Sequence, residues 1–216
     1  MKHKLGVYLC SYNYQEFLLW SMRSLENQTR KPDVVLFIDD CSTDKSIEVF
    51  NKELIRSELD YTISIHKDNI GAVATMNEAV EILISKGCDY ICGLSADDLF
   101  DKDYLKETEK MLSKAPKNVG YVYTWVKRIG DELSIDRHEE FNGDNLMRYN
   151  FVHGSALIKA TAWRAVGGLQ PLKVCEDWDL FKRMARLGII GRVIPKPLLM
   201  WRKHNKGCRT NGTRGK

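Results

Sequence analysis

The sequence predicts an α/β fold, a mostly parallel sheet flanked by helices on both faces within a single domain. Short apolar runs alternate with segments of helical periodicity through the first half of the chain. That alternation is the mark of repeated β-α units whose strands are buried on both sides. Polar residues crowd the positions just after those runs, which is where an open parallel sheet receives its ligand. A length of 216 residues lets one such domain bury a core without disulfide or metal staples.

Taken in order, the first unit is a strand over Gly6–Ser11 and a helix over Glu16–Asn27. Val34–Asp39 follows, then a helical pattern over Lys45–Ser57 for which Asp44 or Thr43 is a suitable cap. Tyr61–His66 leads through Gly71, a turn residue, into a helix over Ala72–Ser85. Tyr90–Leu94 precedes a helix over Tyr104–Ser113, and Gly120–Val126 is a fifth strand. There the rhythm breaks. Residues 127–160 mix charge, glycine and short apolar pieces, which predicts a crossing antiparallel strand and loops. A helix returns over Asp177–Leu187 and stops at Gly188, and two apolar pieces, Ile189–Ile194 and Leu198–Trp201, flank Pro197.

Hydrophobic residues at 44% and charged residues at 29% describe an ordinary globular chain. The net charge of +4 is uneven, because residues 202–216 hold six Lys and Arg and no acid, leaving 27 basic against 29 acidic residues elsewhere. The tail is therefore a basic arm, read first as a solvated terminus and otherwise as a peripheral contact with anionic lipid or a phosphorylated substrate, and no nucleic-acid partner is expected. The six cysteines are scattered without a CxxC pair or Cys/His spacing, so zinc is not expected. The apolar stretch from Leu5 to Cys10 is too short for a signal peptide, and no segment approaches a membrane span. A reducing, cytoplasmic location is expected.

The chemistry collects after the strands. Ser11-Tyr12-Asn13-Tyr14, Asp39-Asp40-Cys41-Ser42-Thr43-Asp44, Lys67-Asp68-Asn69-Ile70-Gly71 and Asp97-Asp98 all fall on one edge of a parallel sheet. Adjacent carboxylates repel one another and take up protons unless a cation or hydrogen-bond donors hold them. Asp97-Asp98 after an apolar strand thus reads either as the floor of a divalent-metal site or as an acidic cap for the following helix. Downstream, Glu176 and Asp177 head an amphipathic helix beside Trp178. Acids there suit the helix dipole, and an apolar ring also raises a carboxylate towards the range of a general base and offers a platform for a sugar face. His204 ends the last strand.

In this order the motifs resemble the inverting family 2 glycosyltransferases with the GT-A nucleotide-sugar fold, over nearly the whole chain from Gly6 to His204. Ser11-Tyr12-Asn13, Ile38 to Asp44, and Asn69-Ile70-Gly71 with Asn77 resemble its first three nucleotide-binding motifs. Leu94 to Asp98 stands at its DxD metal motif, Gly167-Gly168-Leu169 and Glu176-Asp177-Trp178 at its acceptor loop and ED motif, and Trp201 to His204 at its terminal histidine. The resemblance implies a GT-A domain over residues 1–204, with a nucleotide-binding half over 1–100 and an acceptor and catalytic half over 101–204, followed by the tail 205–216.

It further implies that Asp40 reads the nucleobase edge with Asp39 nearby, that Ser11, Tyr12 and Asn13 line the nucleotide pocket with Asn69, Gly71 and Asn77, and that Asp97 touches ribose or sugar. Asp98 and His204 would hold Mn²⁺ or Mg²⁺, Asp177 would be the catalytic base with Glu176 as the alternate, and Gly168 and Trp178 would face the acceptor. The implied donor is a nucleotide-diphosphate sugar, UDP-linked by preference, and the implied acceptor a hydroxyl of a glycan, lipid or protein. Region 127–175 is the expected acceptor region, with Trp125, His138, His153 and Trp163 as candidate contacts. The chain departs from the family at Ala96, in the first position of DxD, and at Met76, where many members are basic. A catalytically inactive nucleotide-sugar-binding module and a nucleotidyltransferase are the competing readings. The second would want a Gly-rich basic phosphate loop after the first strand, which Ser11-Tyr12-Asn13-Tyr14 is not.

Overall fold

Alternation along β1 (Leu5–Ser11) sends Leu5, Val7 and Leu9 to one face of the sheet and Tyr8 to the other, and all four are buried. The computed structural model describes residues 3–172 and 175–204. β2 (Val34–Asp39), β3 (Tyr61–Ile65) and β4 (Tyr90–Ser95) run parallel to β1 in the order β3-β2-β1-β4. Helices α1 (Leu18–Glu26) and α2 (Ser46–Leu54) cover one face through Met22, Leu25 and Phe50, and α3 (Ala72–Ser85) covers the other through Ala79, Val80 and Leu83. Phe50 stacks on Phe37 of β2 with ring centroids 3.8 Å apart, a burial worth about 1.5–3 kcal/mol per ring.

Beyond β4 the sheet becomes mixed. β5 (Leu99–Phe100) is short, and α4 (Tyr104–Lys114) follows with Tyr104 and Leu105 fully buried. β6 (Val119–Gly130) continues past the expected end at Val126 and forms a hairpin with β7 (Ser134–Asp136). α5 (Gly143–Arg148), β8 (Leu157–Lys159) and α6 (Ala160–Val166) fill the region where the sequence predicted one crossing strand and loops. The crossing strand is β8, antiparallel to both β4 and β6. Neither helix shows in the sequence pattern because each is under two turns, too short to establish a period. α7 (Glu176–Arg186) then packs Leu180, Phe181 and Met184 on the α3 face.

The two expected closing pieces are one strand, β9 (Ile190–Lys203), parallel to β6. Trp125 pairs with Pro197 where the register shifts. Bulges absorb Pro195 and Pro197, which lack ladder donors, and so a strand that reads as broken continues to Lys203. Its end places His204 beside the β4–β5 turn, since β5 pairs antiparallel with Leu199 and Met200. No helix among the described residues is long and apolar enough to cross a membrane. The basic segment 205–216, and with it the expected lipid contact, lies outside the described residues.

Candidate active site

Because β1, β2 and β4 are parallel neighbours, Ser11 lies in register with Asp39 and Cys10 with Ser95, so the loops that follow meet along one edge. The backbone is bent to hold them. The non-glycine residues with positive φ among the described ones are Asn13 (59°), Cys41 (65°) and Cys175 (60°), each in a loop of this edge or at the head of α7. Such a conformation costs about 1–3 kcal/mol and survives only where the surroundings fix it. At Asn13 the fixing is visible: its side-chain oxygen accepts Thr43 N–H at 2.8 Å and Asp44 N–H at 3.2 Å, while its own N–H donates to Ser42 Oγ at 2.8 Å.

The two acids ending β2 are already engaged. Asp39 accepts Ser42 N–H at 2.7 Å and Ser42 Oγ–H at 2.6 Å. Asp40 accepts Ile70 N–H at 2.8 Å and Gly71 N–H at 2.9 Å and meets His66 Nδ1 at 2.9 Å. Burial pushes Asp40 up, yet those donors outweigh it and hold the carboxyl below its ordinary pKa. Asn69 Nδ2 donates to the Asp40 carbonyl at 3.0 Å, and Gly71 takes φ 87° at the head of α3, a turn that glycine makes without strain. Ser11 is buried with no partner for its hydroxyl among the described residues, and Tyr12 lies exposed at the rim.

Asp97 and Asp98 follow β4 and are nearly buried, at 5% and 6% exposure. Asp97 Oδ2 lies 3.1 Å from His204 Nε2, and Asp98 Oδ1 accepts Arg202 N–H at 2.8 Å. The turn is anchored from beneath by Ser21 Oγ of α1, which donates to the carbonyls of Ala96 and Asp98. Burial first, and the adjacent Asp97 second, push Asp98 well above the ordinary carboxylate range. A cation would reverse that, and two buried carboxylates beside an imidazole fit a hard divalent ion such as Mn²⁺. Among the described residues no three His, Cys, Asp or Glu side chains group to hold an ion unaided, so the set suits an ion shared with ligand oxygens. Ala96 is fully buried in the core, where an acid in the first DxD position would have no solvent.

Across the edge, Asp177 opens α7. It is half-buried, with Oδ1 accepting Trp178 N–H at 2.7 Å and Asn150 Nδ2 at 3.5 Å, the outer limit of a hydrogen bond. Desolvation, then repulsion from Glu176, pushes its pKa up to about 6. Gly154 lies against it, and a Cβ there would stand in ordinary van der Waals contact, 3.5 Å from Asp177 Oδ2. Glu176 lies near enough to Tyr8 of β1 for its charge to add to the burial that raises that phenol.

Other expected residues are committed to packing. Asn77 makes a two-way clip to Leu169, its amide donating to the carbonyl at 2.9 Å and accepting the N–H at 2.9 Å. Gly168, at φ 71°, lies against it, and a Cβ there would meet Asn77 Oδ1 at 2.8 Å. Trp178 Nε1 donates to Leu146 O at 2.6 Å, joining α7 to α5, with Lys182 Nζ over its ring at 4.1 Å. Trp163 is core, Trp125 Nε1 donates to His138 O, and His153 Nε2 accepts Thr124 N–H. The sequence passed over His66, Ser21 and Asn150. Each acts through a partner distant in sequence, and only the run of polar residues following Ile65 hinted at His66.

The family description "Glycosyl transferase family 2" matches residues 7–171. The chain belongs to that family. An uncharacterised glycosyltransferase of Methanocaldococcus jannaschii is 25% identical over 214 residues, covering 95% of this chain and 72% of that protein. The chondroitin synthase of Pasteurella multocida is 26% identical over 189 residues, covering 85% of this chain and 19% of that one. Among solved structures, Staphylococcus aureus TarS 1-349 in complex with UDP-GlcNAc superposes with TM-score 0.78 at 18% identity, over 97% of this chain and 61% of that one. The Pyrobaculum calidifontis mannosyltransferase in complex with GDP-Man and Mn²⁺ superposes with TM-score 0.74 at 18% identity, over 96% and 59%. This family 2 glycosyltransferase has the GT-A fold, and it spans about a fifth of the chondroitin synthase and about three fifths of the two solved chains.

Proposed function

We propose that this glycosyltransferase moves a sugar from a nucleotide-diphosphate donor, UDP-linked by preference, to a hydroxyl of a glycan, lipid or protein acceptor, with inversion at the anomeric carbon and with Mn²⁺ or Mg²⁺. The observation that carries the reading is Asp177, a carboxylate raised to about 6 on the acceptor side of an edge whose other acids, Asp97 and Asp98, are buried beside an imidazole. A base poised near the working pH can hold the acceptor's proton without being protonated itself beforehand. In this assignment Asp177 Oδ2 takes the hydroxyl proton as the oxygen attacks the face of the sugar opposite the leaving diphosphate, and Asn150 and Trp178 N–H fix the carboxylate through Oδ1. Inverting glycosidases use the same in-line geometry, with water in the acceptor's place. Asp98 and His204 would hold the metal together with diphosphate oxygens, and the ion would neutralise the charge that develops on the leaving group. Ser11, Asn13, Asp39, Asp40, Asn69 and Gly71 would form the nucleotide side, and the positive charge that Met76 does not offer would come from Arg202, whose Nε donates to Asp97 O at 3.0 Å, from Lys67 or from the basic tail.

The test is a panel of UDP- and GDP-sugars screened for thermal stabilisation and for release of nucleoside diphosphate, with and without Mn²⁺, on wild type and Asp98→Ala. Metal-dependent release that disappears in the variant is expected. Stabilisation without turnover in the wild type would favour the inactive binding module, nucleoside triphosphate formed only when pyrophosphate is added to the nucleotide sugar would favour a nucleotidyltransferase, and stabilisation indifferent to metal and to Asp98 would remove the metal site.

A further inference from the structure

One imidazole stands between two carboxylates behind the nucleotide-side loop. His66 is about 10% exposed, with Nδ1 2.9 Å from Asp40 Oδ1 and Nε2 3.3 Å from Glu78 Oε2. A neutral imidazole carries one N–H, so in that form one ring nitrogen would turn a lone pair on a carboxylate. Nδ1 is within hydrogen-bond distance of Asp40, whereas Nε2 is buried without an aligned hydrogen bond and faces Glu78 as a charge contact, so both contacts are favourable together only when both nitrogens carry protons. The charged groups facing the ring are Asp40 from the end of β2 and Glu78 from α3, which also accepts Ser64 Oγ at 3.4 Å. Its neighbours in the chain, Lys67 and Asp68, are exposed.

We propose that His66 is a positioning residue for nucleotide binding, clamping Asp40 to Glu78 in its protonated form so that the loop 66–71 stays closed on the Asp40 carboxylate. This rests on the nucleotide-donor reading given above. The loop is held at four further points, all converging on the end of β2: His66 N–H to Asp39 O at 2.9 Å, Asn69 to Asp40 O, and the amides of Ile70 and Gly71 to the Asp40 carboxylate. With the imidazole neutral, Asp40 keeps the two amides and loses the imidazolium charge, while Glu78 faces a lone pair. Asn69 and Gly71, the expected nucleotide contacts, sit on the segment that this releases. Burial pulls the imidazole's pKa down, but the Asp40 hydrogen bond and the Glu78 charge more than offset it and hold His66 above its ordinary value. Nucleotide affinity therefore falls as pH rises through that transition, whereas turnover governed by Asp177 rises with pH through about 6. The two effects separate as an affinity limb and a rate limb of opposite sign.

Calorimetric titration of the whole chain with UDP and with GDP, each with Mn²⁺, at about pH 6 and about pH 8.5 tests this in wild type, His66→Gln and His66→Arg. Wild-type affinity is expected to weaken roughly three- to tenfold between the two conditions, since one pKa unit is a factor of ten. His66→Gln is expected to bind weakly at both, and His66→Arg, with a permanent charge, tightly at both. Any pH dependence from metal loading at Asp98 and His204 is common to all three proteins and cancels. A wild-type change that persists undiminished in His66→Gln, or wild-type binding indifferent to pH, overturns the role of His66 and leaves the donor reading standing. Absence of UDP and GDP binding at either pH overturns both. Should the variants fail to fold, NMR titration of wild-type His66 decides: a midpoint above about 6.5 shared by the Gly71 amide is expected, and a lower midpoint or an unmoved amide overturns the proposal.

Discussion

Asp40 and Asp177 are the same side chain at opposite sides of one sheet edge, and their surroundings push them in opposite directions. Both acids are pushed up by burial, but Asp40 is given His66 and two backbone amides and stays below the ordinary carboxylate range, while Asp177, with one close amide, one distant one and the repulsion of Glu176, rises to about 6. The first is a fixed anion that shapes a loop, and the second a carboxylate able to exchange a proton. Asp98 is a third case, pushed up by burial and by Asp97, in the state a cation would relieve. The division of labour follows from how far the donors each acid meets offset its burial.

That contrast can be broken from either side. Asp177→Asn is expected to have the largest effect, a loss of roughly 10²–10⁴-fold in kcat with UDP or GDP affinity unchanged in calorimetry, because it removes proton transfer and leaves the nucleotide loops intact. Asp98→Ala is expected to lower kcat on the order of 100-fold and to abolish stabilisation by Mn²⁺ in thermal melts, as loss of metal-borne charge stabilisation would. Asp40→Asn turns an amide N–H₂ towards one of the backbone donors it now accepts, and chemical denaturation should show a loss of about 1–3 kcal/mol together with weaker nucleotide binding. Because Asp40 is depressed in the folded state, its contribution is present above the unfolded carboxylate range and is lost as pH falls through the folded value. Smallest is Cys175→Gly, which relieves a left-handed residue ahead of the Glu176-Asp177 pair, and a gain of no more than about 1 kcal/mol is expected in the same assay.

The loops after β1, β2, β3 and β4 were legible in the sequence because their signal is local: an apolar strand followed by Asp-Asp, or by Asn-x-Gly, states both the element and the polar edge that ends it. What the sequence withheld was which partner each residue meets. Asn77 reads as a pocket residue in the third motif, yet both ends of its amide hold Leu169, 92 positions away. His66 reads as the end of a strand, and its role comes from Glu78 on the next helix. The carboxyl-terminal half was less legible because its elements are short or interrupted. α5 and α6 have no period to display, and β9 carries two prolines that read as a break and prove to sit at register shifts. His204 gains its meaning only because β9 runs unbroken to the Asp97-Asp98 turn.

The most direct measurement is the pH dependence of nucleoside diphosphate release from UDP-GlcNAc and GDP-mannose in saturating Mn²⁺, for wild type and Asp177→Asn side by side. Wild-type kcat is expected to climb with pH to a plateau through a midpoint of about 6, and Asp177→Asn to be slow and flat across the same range with nucleotide binding intact. A variant that keeps the wild-type rate, or that keeps the limb near 6, would contradict the role of Asp177 as base.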